Sequence, residues 1–272
     1  MSRPPGGRSG PGLPVTGPPP PPPPALFPDK TSANRGLAVA ALGFLVGYLL
    51  AAAAVTALSD VSRVAVSGGR VVQTPAVVVV DLVGLWIGLV GAVVLASRGW
   101  GSGRPARDFG LRLRPWPDLP VGVAVGLASQ FLLVPLVYLP LRPFLPHLTQ
   151  TLAHPARQLT VHAHGVGFVI LALFVAVGAP IVEEWFFRGL LLRALDHRLA
   201  GLGRRLGPVV AVVVTGVAFG LAHGEGFVLA WGLAAFGMVL GAMAEGFDRL
   251  GPGIVAHCTF NAATVVALAL VR

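Results

Sequence analysis

The sequence predicts an all-α protein: a polytopic transmembrane helix bundle of about seven spans, behind a disordered proline-rich tail. Three observations carry this expectation. Of 272 residues, 54% are hydrophobic and only 11% are charged, with a mean hydropathy of +0.77; a soluble domain carries about 25% charged residues. Apolar runs of roughly 20 residues, the length that crosses a bilayer, recur along the chain. None of those runs alternates with the two-residue period of a strand.

Residues 1–35 come first. Seven consecutive prolines, Pro18 to Pro24, follow a glycine- and proline-rich stretch. Such a segment cannot bury a core and is expected to be disordered or polyproline II. It is too long and too poor in apolar residues for the n-region of a secretory signal. Residues 36–164 are expected to hold three spans with their loops, Gly36–Leu58, Pro75–Ala96 and Leu119–Leu141. Residues 165–272 hold four more, Gly165–Arg193, Gly207–His223, Phe227–Glu245 and Gly253–Val271, of which Gly207–His223 is the shortest. No internal repeat is visible, so an inverted-repeat transporter gains no support.

The charge sets orientation and excludes one partner class. The net charge is +9, and Lys30 is the sole lysine. The arginines lie between apolar segments rather than on one face, which fits membrane topology and not nucleic acid. With the N-terminus inside, fourteen Lys and Arg fall in cytoplasmic segments, five outside and Arg188 within a span. The chain is therefore expected in the cell membrane with a cytoplasmic N-terminus. The lone Cys258 excludes an internal disulfide and reads as a packed small hydrophobe.

One span breaks the apolar rule. "APIVEEWFFRGLLL", residues 179 to 192, carries Glu183, Glu184 and Arg188, and a charge at the bilayer centre costs about 2.5–3.5 kcal/mol or more. Glu184 and Arg188 are four apart, acid first, and can pair on one helix face. Glu183 points about 140° away from Arg188 and has no partner on its own helix. It must be protonated, meet a group from another helix, or face a watery cavity. Pro180 is expected to bend the helix beside it.

Candidate partners stand on two other spans. "FGLAH" places Phe219 and His223 four apart, and "HCTFN" does the same for His257 and Asn261. Two histidines and a carboxylate, here Glu183, His223 and His257, are a common catalytic zinc set with a position open for water. Without a metal, Glu183 is a base on a water held by His223, and His257 with Asn261 donates to the developing oxyanion. Both point to hydrolysis.

These three blocks resemble the CAAX prenyl protease and bacteriocin-processing family of intramembrane proteases, also called the Abi family. Its pattern is Glu-Glu-x-x-x-Arg, then Phe-x-x-x-His, then His-x-x-x-Asn on successive membrane helices. Here it stands as Glu183–Arg188, Phe219–His223 and His257–Asn261. The resemblance covers about residues 165 to 272. It implies cleavage of peptide bonds in membrane-associated proteins or peptides. In it Glu183 activates water and His223 assists or binds metal. His257 and Asn261 bind metal or stabilise the oxyanion, while Glu184, Arg188 and Phe219 complete the motif. Zinc or another divalent metal is the implied cofactor, beside a metal-free glutamate mechanism. The rival reading is a non-catalytic membrane scaffold or transport helper whose polar residues join helices.

Depth is the obstacle. Straight helices normal to the membrane leave His257 more than about 10 Å from Glu183, so convergence requires tilt, shortening or irregular backbone. Other polar residues carry weaker expectations. Asp81 is either a functional acid or a side chain reaching interfacial water. His154, His162 and His164 are expected in a solvated outer loop. Glu225 is either an orienter for His223 or solvated, and Glu245, Asp248 and Arg249 are expected at the interface. Trp185 packs around the site or meets lipid.

Overall fold

The computed structural model describes residues 26–62, 66–67, 70–224 and 226–270. The Pro18–Pro24 run, Glu225, Arg63 and Arg272 lie outside the described residues. The fold is all-α, with one two-residue antiparallel ladder, Val66–Ser67 (β1) on Arg70–Val71 (β2). The long helices are α1 (Lys30–Ser62), α2 (Pro75–Trp100) and α3 (Pro115–Phe144). A shorter α4 (Leu148–Val161) precedes α5 (Gly165–Leu202), α6 (Leu206–Ala222), α7 (Phe227–Phe247) and α8 (Gly251–Leu270). Six of them are long and apolar enough to cross a membrane. The expected fifth span, α6, has only 17 residues.

The folded part starts before the expected tail boundary at residue 35. Phe27 is 1% exposed and packs on Trp100 and His197. Asp29 and Ser32 then close the N-terminus of α1, each backbone N–H donating to the other's side chain, a reciprocal cap. The segment expected as a solvated outer loop holds a helix, because Leu148–Val161 forms α4.

Three helix pairs meet through Gly-x-x-x-Gly seams. Gly43 and Gly47 on α1 face Gly88 on α2, and Gly84 on α2 faces Ala51 on α1. Gly122 and Gly126 on α3 face Val255, Ala256 and Thr259 on α8, and Gly216 and Gly220 on α6 face Ala230, Ala234 and Met238 on α7. Lipid tails are as apolar as leucine, so close van der Waals approach of small residues drives such pairs. A Cβ on Gly88 would collide with the backbone of Gly43 and Gly47, whereas one on Gly91 would meet nothing within 4 Å. Gly88→Ala is therefore expected to destabilise the protein by about 1–3 kcal/mol, and Gly91→Ala to be neutral or stabilising by up to about 1 kcal/mol. Thermal unfolding in detergent reads both, and equal effects would refute the seam.

A buried ion pair ties the start of α3 to the α7–α8 turn. Asp118 is fully buried; Arg249 donates to it from Nη2 at 2.6 Å and from Nε at 3.1 Å, and the Arg114 N–H donates at 2.7 Å. Arg249 is 8% exposed, so it is not the interfacial side chain expected. Its acid, Asp118, lies far away in sequence, which hid the pair.

Candidate active site

Two wide π-helical turns frame the charged motif on α5. Phe174–Gly178 precedes it and Trp185–Leu191 follows. The first has a cause in Pro180. Ala179 donates its N–H to Phe174 O; the next bond in that pattern would run from residue 180 to Val175 O, but proline has no N–H. Asn261 supplies the missing donor, its Nδ2 lying 2.9 Å from Val175 O. The bend expected at Pro180 is thus a π turn clamped from α8. This gives Asn261 a structural bond that the motif alone did not suggest, and leaves it one further amide N–H. Asn261→Leu is expected to lose about 1–3 kcal/mol from the orphaned carbonyl. Part of that loss should return with Pro180→Ala, which restores a backbone donor. Unfolding midpoints of the two variants check this, and no recovery in the double variant would overturn it.

The second turn centres on charge. Glu184 Oε1 accepts from Arg188 Nη1 at 2.8 Å and from His257 Nδ1 at 3.0 Å. Arg188 also donates to Gly237 O at 2.9 Å and lies over the Phe219 ring, 4.4 Å from its centroid. Glu184 and Arg188 are each 1% exposed. The expected i,i+4 pair is present, and it is a three-residue network that includes His257.

Glu183, which lacked a partner on its own helix, meets one from α8: its Oε2 is 3.8 Å from His257 Nε2. The imidazole therefore stands between two adjacent carboxylates, one at each ring nitrogen. Because the Glu184 carboxylate only accepts, Nδ1 carries the proton and Nε2 presents its lone pair toward Glu183. Phe219 and Phe236 wall the ring edge-on, each with centroids 5.5 Å away. His223 closes α6, where its Nδ1 donates to Phe219 O at 2.8 Å; a carbonyl fixes that tautomer too. Phe219 also touches the His223 ring, at 4.7 Å, so one buried phenyl spaces both imidazoles and Arg188.

The depth conflict resolves at the helix ends. Helix α5 is 38 residues long, about 57 Å, and its last part, "LRALDHRL", is polar. The α7–α8 turn does not reach the Ala200 loop; it stops beside Arg193, whose Nη2 is 3.1 Å from Asp248. That raises α8 by about seven residues, roughly 10 Å, and brings His257 level with Glu183. Gly253 completes the approach, since its missing Cβ would lie 3.4 Å from Glu184 Oε2.

Glu183, His223, His257 and Asn261 line one cavity of about 880 Å³. Asp81, which the sequence left open between a functional acid and an interfacial one, lines it too, as do His154 and His162, which were expected in a solvated loop; a helical α4 folded against α8 was not legible from composition. His164 instead precedes α5 as its cap residue. Trp185 neither encloses the site nor faces only lipid: its Nε1 donates to Pro105 O at 3.4 Å and its ring meets Gly189. Among the described residues, no group of three or more His, Cys, Asp or Glu is arranged to hold a metal ion. Of the Glu183–His223–His257 set, Glu183 and His257 come within 3.8 Å of each other, and Phe219 touches both imidazole rings.

All three motif blocks fall within residues 165–263, which match the family model described as type II CAAX prenyl endopeptidase Rce1-like. No curated protein and no solved structure matches the chain. The family match and the six apolar helices agree in kind: this is a multi-pass membrane protein whose residues 165–263 are similar to the Rce1-like CAAX endopeptidases.

Proposed function

We propose that the protein is an intramembrane endopeptidase that hydrolyses membrane-associated proteins or peptides with a water activated by Glu183. The observation that carries this is the His257 ring between Glu184 and Glu183, facing a cavity large enough for a peptide segment. A separation of 3.8 Å is too long for a hydrogen bond, yet lets one water donate to both Glu183 Oε2 and His257 Nε2. Its lone pair then faces the substrate carbonyl. Glu183 takes the proton as the O–C bond forms, and passes it to the leaving amine as the C–N bond breaks. The remaining amide N–H of Asn261 faces the carbonyl oxygen as charge builds there, and His223 positions the peptide from the far wall. The arginine distribution supports a cytoplasmic N-terminus.

A bound zinc or other divalent ion would supply a more acidic water, but it needs a third protein donor that the described side chains do not gather. Turnover is therefore expected to survive chelation. The test is purified full-length protein in nanodiscs, incubated with a membrane-peptide library and followed by mass spectrometry of the new termini. Cleavage that persists in chelator supports the reading. Cleavage only after zinc is restored would overturn its metal-free form, and none under either condition would leave the scaffold reading in its place.

A further inference from the structure

The cavity has a second acid that the hydrolytic chemistry does not use. Asp81 lines it from α2, together with Gln73, His154 and His162. Among the described residues Asp81 has no hydrogen-bond or ion-pair partner. Among the described residues, no lysine or arginine lines the cavity. A carboxylate inside an apolar span is costly unless a cation or water meets it; Asp81 is exposed to the cavity, so a cationic group on what enters can pair with it.

Its distance from the chemistry follows from helix register. Helices α2 and α5 run side by side in the same direction: Gly167 packs on Pro75, and Gly178 packs on the Trp86 indole. Both contacts carry the same offset, so Asp81 lies level with about residue 173. Glu183 is then about ten residues, or roughly 15 Å, further along the axis. An extended peptide covers that distance in about four to five residues.

We propose that Asp81 is a specificity determinant that selects substrates carrying a lysine or arginine about four to five residues from the scissile bond; this rests on the hydrolytic reading above.

The test uses nanodisc-embedded protein at about pH 8, where ordinary histidines are neutral, and a peptide series that moves one lysine, norleucine or glutamate along either side of the cleaved bond. Lysine at the fourth or fifth position should improve kcat/KM roughly tenfold over norleucine, through KM and not kcat. Asp81→Asn should erase the preference, Asp81→Glu keep it and Asp81→Lys transfer it to glutamate. Anisotropy of the same labelled peptides reads the preference as binding, so it judges Asp81 even where no bond is cut; absent cleavage counts against the hydrolytic reading alone. A flat scan in the wild-type protein, or an undiminished lysine preference in Asp81→Asn, would overturn the proposal.

Discussion

Glu183→Gln is expected to abolish turnover, by about 10²–10⁴-fold or more, without lowering the unfolding midpoint. The amide keeps the size of the carboxylate and can still touch a water, but it cannot accept the water's proton. Little structural cost is expected, because among the described residues no arginine or lysine bonds Glu183: its near neighbour is His257 Nε2 at 3.8 Å, while Arg188 donates to Glu184 and Gly237. His257→Ala should be equally inactive, and it should also loosen the Phe219 and Phe236 walls. His223→Ala removes an exposed side chain at the end of α6, so its loss of turnover should come with almost unchanged stability. The measurement is kcat by fluorogenic peptide beside thermal unfolding of the same samples. A scaffold whose polar residues only join helices would behave otherwise, since such contacts average well under about 2 kcal/mol each and their removal leaves function intact. Wild-type kcat in Glu183→Gln would sink the assignment of Glu183 as the base.

The membrane class and most span positions were legible because hydropathy integrates over 20 residues and tolerates local error. The motif blocks were legible because i,i+4 spacing survives on any helix: Phe219 does touch His223, and Glu184 does bind Arg188. Which acid holds His257 was not legible. At 100° per residue only one of Glu183 and Glu184 should face α8, yet both meet the same ring, framed by π turns that the 3.6-residue period cannot anticipate. The second role of Asn261 was hidden for the same reason, as it depends on a carbonyl orphaned by Pro180. The meeting of Asp118 with Arg249, and of Asp81 with the cavity that Glu183 and His257 line, is tertiary and leaves no local signal. The glycine seams were in plain view as GFLVG, GLWIG, GVAVG and GVAFG; they were passed over because an apolar run reads the same with or without them.

The Glu184–Arg188 pair separates stability from function most sharply. Glu184→Ala leaves Arg188 buried with Gly237 O as its remaining hydrogen-bond acceptor and with an Nε that already lacks one among the described residues. An uncompensated buried charge of this kind is expected to cost about 3–5 kcal/mol, even with some relief from the Phe219 face at 4.4 Å. Replacing both partners, Glu184→Leu with Arg188→Met, removes the charges together, and a hydrophobic substitute of similar volume is often neutral or stabilising. The double variant should therefore recover most of the lost stability. It should not recover activity. Glu184 fixes the proton on His257 Nδ1, and without it the ring can present N–H to Glu183 in place of a lone pair; loss of an orienting carboxylate typically costs about 10–100-fold. Unfolding free energy and kcat, measured for both single variants and the double, give the coupling directly. Turnover restored along with stability in the double variant would show that His257 takes its orientation from elsewhere.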